Sequence, residues 1–301
     1  MREQFSRKLL EAALVDHTVL LLTGDHGHAI FGEFRDQIPR QFINAGVAEQ
    51  NMVGVAAGLA KAGFKPVVYG LSAFIPIRVL EQIKIDVCYE RLPVTFVGDG
   101  AGVVHGQLGS THQSTEDIAV LRALPHIQLF SPCDIHEMAY VMAQAMKFAG
   151  PVYLRMGKSD PTAVHDHSIA EPLGDLLPVR SGTDTRLAFL ATGSMVKTAI
   201  ELSGLTGDFP VWSVPTIEPI NKSQVLAIAR KSNRLVVLEE HTTIGGLGSL
   251  ISETVSEADN VMTRVTRFGV DDRFSRKCGS YKYLVEEHGL DLEQLSRRLE
   301  L

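Results

Sequence analysis

The chain has 301 residues, of which 45% are hydrophobic and 21% are charged, and its formal net charge is −6. This length is enough for two domains with their own hydrophobic cores, and the composition excludes a disordered protein. The negative net charge excludes a strong electrostatic footprint for nucleic acid, while a local cationic pocket for small anions stays compatible with it.

Export and membrane insertion are not expected. Glu11 and Asp16 interrupt the apolar core that a signal peptide would need. Apolar runs such as Val19–Leu22 are far shorter than the ~20 residues that span a bilayer. The sequence therefore predicts a soluble, cytoplasmic protein that binds neither membranes nor nucleic acid.

Short β-branched runs alternate with helical patterns in the first half of the chain, which is typical of parallel βαβ architecture. The predicted strands lie near Val19–Thr23, Val67–Tyr69, Val94–Val97, Ile127–Phe130 and Val152–Leu154. The predicted helices are Gln4–Leu14, Glu49–Ala62, Phe74–Tyr89, Thr115–Ala123 and Ile135–Phe148. These elements predict one α/β domain over residues 1–160.

An irregular, proline-rich stretch over residues 161–182 is interpreted as an ordered linker. A second α/β domain is predicted over residues 183–301. Its expected strands are Leu187–Ala191, Val211–Val214, Leu235–Leu238 and Val261–Phe268. The predicted fold class is thus two parallel-sheet α/β domains.

No metal site is predicted in this chain. Cys88, Cys133 and Cys278 are odd in number, lie far apart and show no CxxC spacing, which argues against disulfides and against zinc. We expect them to be buried thiols. His165 and His167 are interpreted as solvated linker residues, because no set of cysteine or carboxylate partners is recognisable near them.

Glu49 is the first candidate functional residue. It precedes a Gly/Ala-rich helical segment, residues 53–63, whose small side chains allow a backbone or a flat ligand to approach closely. A carboxylate in such apolar surroundings is costly unless a donor meets it. The alternative is that Glu49 only stabilises the helix N-terminus.

An ordered set of motifs gives the sequence a family resemblance. The set comprises Asn44–Gln50, Lys65–Phe74, Gly109–Gln113, Glu116–Ala119, Leu121–Pro125, Gly150–Arg155, Glu239–Gly248 and His288–Asp291. In order and spacing these segments resemble the pyrimidine-binding and C-terminal domains of transketolases and deoxyxylulose-phosphate synthases. The resemblance covers nearly the whole chain.

The resemblance implies thiamine diphosphate as the cofactor. Glu49 matches the glutamate that hydrogen-bonds the N1′ nitrogen of the aminopyrimidine, and Phe74 matches the aromatic residue that stacks on it. Asp25 matches a loop beside the thiazolium, the alternative being a helix N-cap. Ile77, like Leu80, stands where well-known transketolases have aromatic residues, so a more aliphatic pocket is expected.

The same resemblance implies that this chain is half of an enzyme. Family members hold the diphosphate through Mg²⁺ (or Ca²⁺) bound by a Gly-Asp-Gly motif and a later asparagine. Gly98–Gly100 has the first motif, but no asparagine occurs between Asn51 and Asn221, so this motif is interpreted as a turn after a strand. A separate N-terminal, diphosphate-binding subunit should supply the metal site, and an α2β2 heterotetramer is expected.

Six positions are implied to contact or border the substrate. His112 matches the histidine that contacts donor oxygen near the reacting carbon, which suits a side chain that both donates and accepts protons. Arg7 and Arg155 match phosphate-binding arginines. Leu108 replaces the aspartate that recognises a sugar hydroxyl. His105 or Gln107, in a lengthened loop, are candidates to replace that lost polar contact.

We therefore expect the C-terminal subunit of a split transketolase, which transfers a two-carbon ketol unit from a ketose or ketose phosphate to an aldehyde. One alternative is the β subunit of a 2-oxo-acid dehydrogenase, or a component of a deoxyxylulose-type synthase, with a pyruvate-like donor. A second is a non-catalytic assembly subunit of the same fold. The sequence identifies neither the natural sugars nor the pathway.

Overall fold

The computed structural model describes residues 1–27, 29–158 and 163–299. Strands and helices alternate through the first half of the chain. Its strands are β1 (Val19–Thr23), β2 (Phe42–Asn44), β3 (Lys65–Leu71), β4 (Thr95–Asp99), β5 (Gln128–Phe130) and β6 (Val152–Met156). Its helices are α1 (Arg2–Val15), α2 (Gly32–Gln37), α3 (Glu49–Lys61), α4 (Leu80–Gln82), α5 (Asp117–Arg122) and α6 (Ile135–Lys147).

The second half repeats the alternation. Its strands are β7 (Leu177–Arg180), β8 (Leu187–Ala191), β9 (Val211–Ser213), β10 (Thr216–Glu218), β11 (Arg234–Thr242) and β12 (Arg264–Val270). Its helices are α7 (Met195–Thr206), α8 (Lys222–Ala229), α9 (Leu247–Ser256), α10 (Tyr281–Glu287) and α11 (Leu292–Leu299). No helix in the described ranges is both long enough and apolar enough to cross a membrane.

Two mostly parallel sheets carry these strands. The first sheet has the order β10-β5-β6-β4-β3-β1-β2, and the second has the order β12-β11-β8-β9-β7. Strands β1, β4, β6 and β8 are buried along their whole length, because helices cover both faces of each sheet. The predicted α/β fold class is confirmed.

Each sheet has one antiparallel edge strand that the sequence analysis missed. Strand β7 lies inside the predicted linker but pairs with β9 of the second sheet, and β10 comes from the predicted second domain but pairs with β5 of the first. Both strands have only three or four residues, too few for a recognisable periodicity. The predicted boundary between residues 160 and 161 lies outside the described residues.

The predicted helix over residues 74–89 is irregular. A 3₁₀ turn covers Ile77–Val79, α4 follows, and a π-helical turn covers Ile83–Cys88. The ring of Pro76 disfavours helical backbone angles at the preceding residue, so the helix starts only after Pro76. Residues 72–76 therefore stay in turns at the carboxyl end of β3, and they leave Phe74 at the edge of the sheet.

Candidate functional site

The carboxyl ends of four neighbouring strands bring most of the predicted cofactor residues to one edge of the first sheet. Asp25 follows β1, Glu49 begins α3 after β2, Phe74 follows β3, and Asp99 ends β4. Ligands of open parallel sheets bind at this kind of edge. The predicted cofactor residues therefore lie where a ligand of such a sheet would bind.

Glu49 is the most unusual group at this edge. Its side chain is only 3% exposed. One carboxylate oxygen, Oε2, accepts a hydrogen bond of 2.8 Å from Nη1 of Arg78. The other, Oε1, is buried and meets no hydrogen-bond partner in the part of the chain described. A buried acceptor without a partner is costly, so this oxygen is ready for a donor from outside the chain.

Arg78 occupies the space in front of Glu49. Its guanidinium carbon lies 3.9 Å from the centroid of the Phe74 ring while its Nη1 binds Glu49. A flat, N–H-donating group is thus stacked on Phe74 and hydrogen-bonded to the carboxylate. The sequence analysis did not single out Arg78, although an arginine amid the otherwise apolar residues 74–80 was a usable signal.

His112 reaches the same cluster from the loop after β4. Its ring centroid lies 5.3 Å from that of Phe74, and its Nδ1 lies 3.0 Å from the Thr111 hydroxyl. His26 approaches Phe74 from the β1 side at 6.2 Å. The structure therefore brings together Glu49, Phe74 and His112, as the resemblance implied.

Asp25 and Ile77 border this cluster. Asp25 has a positive φ of 62° and accepts a 2.8 Å hydrogen bond from the amide of Asn44. It caps no helix, because the residue before α2 is Phe31. Ile77 is half-buried and begins the turn that carries Arg78. Asp25 therefore belongs to the strand-end loop and not to a helix terminus.

The loop after β4 places His105 against the glycine turn. A Cβ atom on Gly100 would lie 2.1 Å from His105 Nε2, so only glycine leaves room for this ring. That nitrogen is buried and lacks a partner within the described residues. Burial lowers the pKa of His105, which favours the neutral imidazole. Gln107 and Leu108 are exposed, Leu108 by 56%.

Asp99 of the Gly-Asp-Gly motif is used inside the chain. It accepts hydrogen bonds from the Tyr69 hydroxyl at 2.7 Å and from Arg2 Nε at 2.9 Å. Gly100 follows in a left-handed conformation with φ 76°. This is the turn after a strand that the sequence analysis predicted for the motif.

Arg2, rather than Arg7, stands at this edge of the sheet. Arg7 lies five residues further along α1, roughly 7–8 Å down the helix axis. Its side chain is 64% exposed, hydrogen-bonds Gln4 and pairs loosely with Glu11 at 3.9 Å. The position of Arg7 therefore does not support the predicted phosphate contact. The sequence analysis did not identify Arg2, because Arg7 was the arginine that matched the family motif. Only the position of each arginine along α1 shows which of them lies at the sheet edge.

Arg155 is also unavailable for a phosphate in this structure. Its side chain is 2% exposed, and its Nε contacts both carboxylate oxygens of Asp117 at 2.9 and 3.1 Å. Its Nη2 donates to the Glu240 carbonyl at 2.8 Å. The bond to Glu240 joins the first domain to the second, so the position of Arg155 supports an architectural role.

Comparison with known proteins agrees with the fold. The sequence profile of the family "Transketolase, pyrimidine binding domain" matches residues 1–162, and that of "Transketolase, C-terminal domain" matches residues 175–295. A solved structure of a split gene transketolase, an inactive β4 tetramer, superposes with a TM-score of 0.87 at 30% identity. It covers 99% of this chain and 96% of its own. The chain belongs to the transketolase family.

Within that family the chain matches the C-terminal subunit of split enzymes. It is 33% identical to a subunit of the apulose-4-phosphate transketolase of Phocaeicola vulgatus, over 98% of this chain and 95% of the relative. It is equally similar to the 6-deoxy-6-sulfo-D-fructose transketolase subunit SqwH of a Clostridium species, over 99% and 92%. By contrast, it spans about half, 47%, of the 1-deoxy-D-xylulose-5-phosphate synthase of Pelotomaculum thermopropionicum, at 34% identity.

The residues at the strand ends fit the thiamine diphosphate that this family implies. Glu49 Oε1 is a buried acceptor with an open hydrogen-bonding position, and the adjacent Phe74 offers a flat apolar face. The group that now covers both is a side chain 43% exposed, that of Arg78, which can turn toward solvent. The described residues are therefore compatible with an aminopyrimidine ring beside Glu49 and Phe74 once Arg78 moves.

Proposed function

We propose that this chain is the pyrimidine-binding half of a two-subunit transketolase that transfers a two-carbon ketol unit from a ketose to an aldehyde. The observation that supports this proposal is Glu49 Oε1, which is buried beside the Phe74 face and has no hydrogen-bond partner among the described residues. A separate subunit would hold the diphosphate and its Mg²⁺ (or Ca²⁺) in an α2β2 heterotetramer in the cytoplasm. The solved β4 tetramer of a split gene transketolase, described as inactive, supports dependence on a second subunit.

The residues of this chain have distinct roles in the proposed reaction. Thiamine diphosphate, when bound, supplies the carbanion chemistry. Glu49 holds a proton against the N1′ nitrogen of the aminopyrimidine, and Phe74 packs on its face. His112 exchanges a proton with the substrate oxygen near the reacting carbon, since imidazole both donates and accepts near neutral pH. His105, kept neutral by burial, hydrogen-bonds a substrate hydroxyl.

The donor is proposed to be a ketose with an anionic group at its far end and an unusual carbon skeleton or substituent. Leu108 cannot hydrogen-bond the hydroxyl that an aspartate recognises, and an apolar replacement discriminates weakly against altered sugars. The names of two relatives specify apulose 4-phosphate and a 6-deoxy-6-sulfo sugar. Arg2, at the sheet edge beside Asp99, is the cation best placed for the anionic group.

A pyruvate-like donor is the second candidate, because deoxyxylulose-phosphate synthases are among the relatives. The extent of the match favours the first candidate. The chain covers more than nine-tenths of the two transketolase subunits, against only 47% of the synthase. The buried Glu49 oxygen without a partner in the described chain disfavours the non-catalytic alternative, because a role in assembly alone gives no reason to keep such a costly group.

Reconstitution tests the proposal directly. The chain is assayed alone and with its diphosphate-binding partner, using thiamine diphosphate, Mg²⁺ and a panel of xylulose 5-phosphate, free ketoses, modified ketose phosphates and pyruvate. We expect turnover only in the mixture and only with ketoses. Turnover by this chain alone would refute the split assignment, and a pyruvate-only profile would establish the second candidate.

A further inference from the structure

A second cluster of polar side chains lies where the two domains meet, away from Glu49. Cys133 and Asp134 follow β5, Glu137 lies in the first turn of α6, and His165 lies beyond β6. The Ser213 hydroxyl, at the end of β9 in the second domain, lies 3.8 Å from Cys133 Sγ. The proposed ketol transfer uses none of these groups.

His165 corrects the sequence analysis. It was predicted to be solvated, but its side chain is only 6% exposed, whereas that of His167 is 69% exposed. The sequence shows no metal-site spacing, because the partners of His165 come from residues about 30 positions earlier. The prediction of buried thiols holds for Cys88 and Cys133, while Cys278 is exposed.

Asp134 fixes the orientation of the His165 ring. Its Oδ2 accepts from His165 Nδ1 at 3.1 Å and from the backbone N–H groups of Val164 and His165 at 2.9 and 2.8 Å. With Nδ1 engaged by this carboxylate, Nε2 is the ring nitrogen left to meet another group. That nitrogen is buried and unpartnered among the residues described.

Glu137 presents a carboxylate oxygen to the same point. Its side chain is fully buried, and one oxygen accepts from the Cys133 N–H at 2.7 Å. The other oxygen, Oε1, has no hydrogen-bond partner in the described ranges and lies 3.8 Å from His165 Nε2. A buried nitrogen and a buried carboxylate oxygen this close together need either a shared proton or a metal cation between them.

The nature of that cation follows from the third ligand. Cys133 Sγ, a Glu137 oxygen and a His165 ring nitrogen all lie within 4.8 Å of one another. A proton would satisfy the nitrogen and the oxygen but gives no reason for a sulfur at the same point. Thiolate, imidazole and carboxylate are each ligands of Zn²⁺ in proteins.

We propose that Cys133, Glu137 and His165 bind a structural Zn²⁺ ion, with the Ser213 hydroxyl or a water molecule as the fourth ligand. The thiol loses its proton on binding, and movements of about 1 Å bring the donors to bonding distance. Asp134 is a positioning residue that holds the imidazole. The ion joins the first domain to the segment that leads into the second, and this role is independent of ketol transfer.

Metal binding by the full-length chain tests the site. The chain is stripped with a chelator, and Zn²⁺ binding is measured by calorimetry and by metal analysis after desalting. We expect roughly one Zn²⁺ per chain and a higher melting temperature with Zn²⁺. Cys133→Ser and His165→Gln should each weaken binding by at least about 10- to 100-fold. Cys278→Ser and His167→Gln, which change an exposed thiol and the neighbouring exposed imidazole, should leave it unchanged.

Cobalt substitution distinguishes this site from surface binding. Co²⁺ bound at the site should give a near-ultraviolet thiolate-to-metal absorption band that Cys133→Ser abolishes and Cys278→Ser retains. If Cys133→Ser does not fold, the band in the parent chain and its loss in His165→Gln decide the question. A parent chain that binds no Zn²⁺ at micromolar concentration, or binds Co²⁺ without that band, overturns the proposal.

Discussion

Glu49 and Asp117 are both buried carboxylates in the first domain, yet their surroundings differ. Asp117 is fully buried, and both of its oxygens accept hydrogen bonds, from Arg155 and from the Tyr153 hydroxyl. Glu49 has one oxygen bound to a half-exposed arginine and one oxygen bound to nothing in the described chain. The hydrogen bonds of Asp117 are therefore all satisfied by the described chain, whereas those of Glu49 are not.

This difference in hydrogen bonding, and not burial, distinguishes the two carboxylates. A buried ion pair whose hydrogen bonds are satisfied loses stability when one partner is removed, because the other is left uncompensated. A buried acceptor that lacks a partner is tolerated where a ligand completes it. We therefore expect changes near Asp117 to affect unfolding and changes near Glu49 to affect the cofactor.

The largest expected effect concerns Glu49. Glu49→Gln keeps the size of the side chain but removes the acid proton, so exchange of the cofactor C2 proton should slow by about 10²- to 10⁴-fold. Cofactor affinity should change far less. The measurement is proton exchange in the reconstituted complex, followed by NMR. Exchange as fast as in the parent complex would mean that Glu49 is architectural.

The next effect concerns the completed ion pair. Arg155→Ala should lower the free energy of unfolding by about 3–5 kcal/mol, because the buried Asp117 loses its counter-charge. Denaturant unfolding of the chain measures this, and Arg7→Ala, an exposed arginine of α1, is the control, with an expected change within about 0.5 kcal/mol. If Arg155→Ala left stability unchanged but raised KM for phosphorylated donors, the predicted phosphate-binding role of Arg155 would be supported instead.

A third comparison uses the two arginines of α1. Arg2→Ala should raise KM for donors with an anionic end by about 10- to 100-fold, with kcat nearly unchanged, since a remote charge contributes equally to ground-state and transition-state binding. Arg7→Ala should leave KM within about twofold. Steady-state kinetics of the reconstituted enzyme measure both. If Arg7→Ala raised KM more than Arg2→Ala, Arg7 would be the arginine that binds the phosphate.

The smallest effect concerns the group that covers Glu49. Arg78→Met removes a partly exposed ion pair and a stacking contact, together worth about 1 kcal/mol, that the aminopyrimidine must displace. Cofactor affinity should therefore rise by about 3- to 10-fold in a calorimetric titration of the complex. Arg78→Lys keeps the charge but not the planar group, so its cofactor affinity should lie between those of the parent chain and Arg78→Met. A fall in affinity in Arg78→Met would make Arg78 a cofactor ligand.

Local sequence determined the α/β fold class and the main strands. The predicted bounds of the first strand, Val19–Thr23, and of Leu187–Ala191 match the structure, because continuous apolar runs report burial on both faces of a parallel sheet. Glu49, Phe74 and His112 were found by their motifs, and parallel topology brings these strand-end segments to one edge. Their chemical roles remain predictions.

Only the tertiary structure decided which charges meet. Arg78 covers Glu49 across 29 positions, Arg2 contacts Asp99 across 97, and His165 reaches Asp134 across 31. Arg155 is enclosed because a carbonyl 85 positions away, from the second domain, accepts its hydrogen bond. Hydrophobic periodicity records burial but not the partner of a polar side chain, since that partner is set by how the sheets and loops pack. The sequence therefore predicted the sheet edge and its candidate residues, and packing selected the ion pairs.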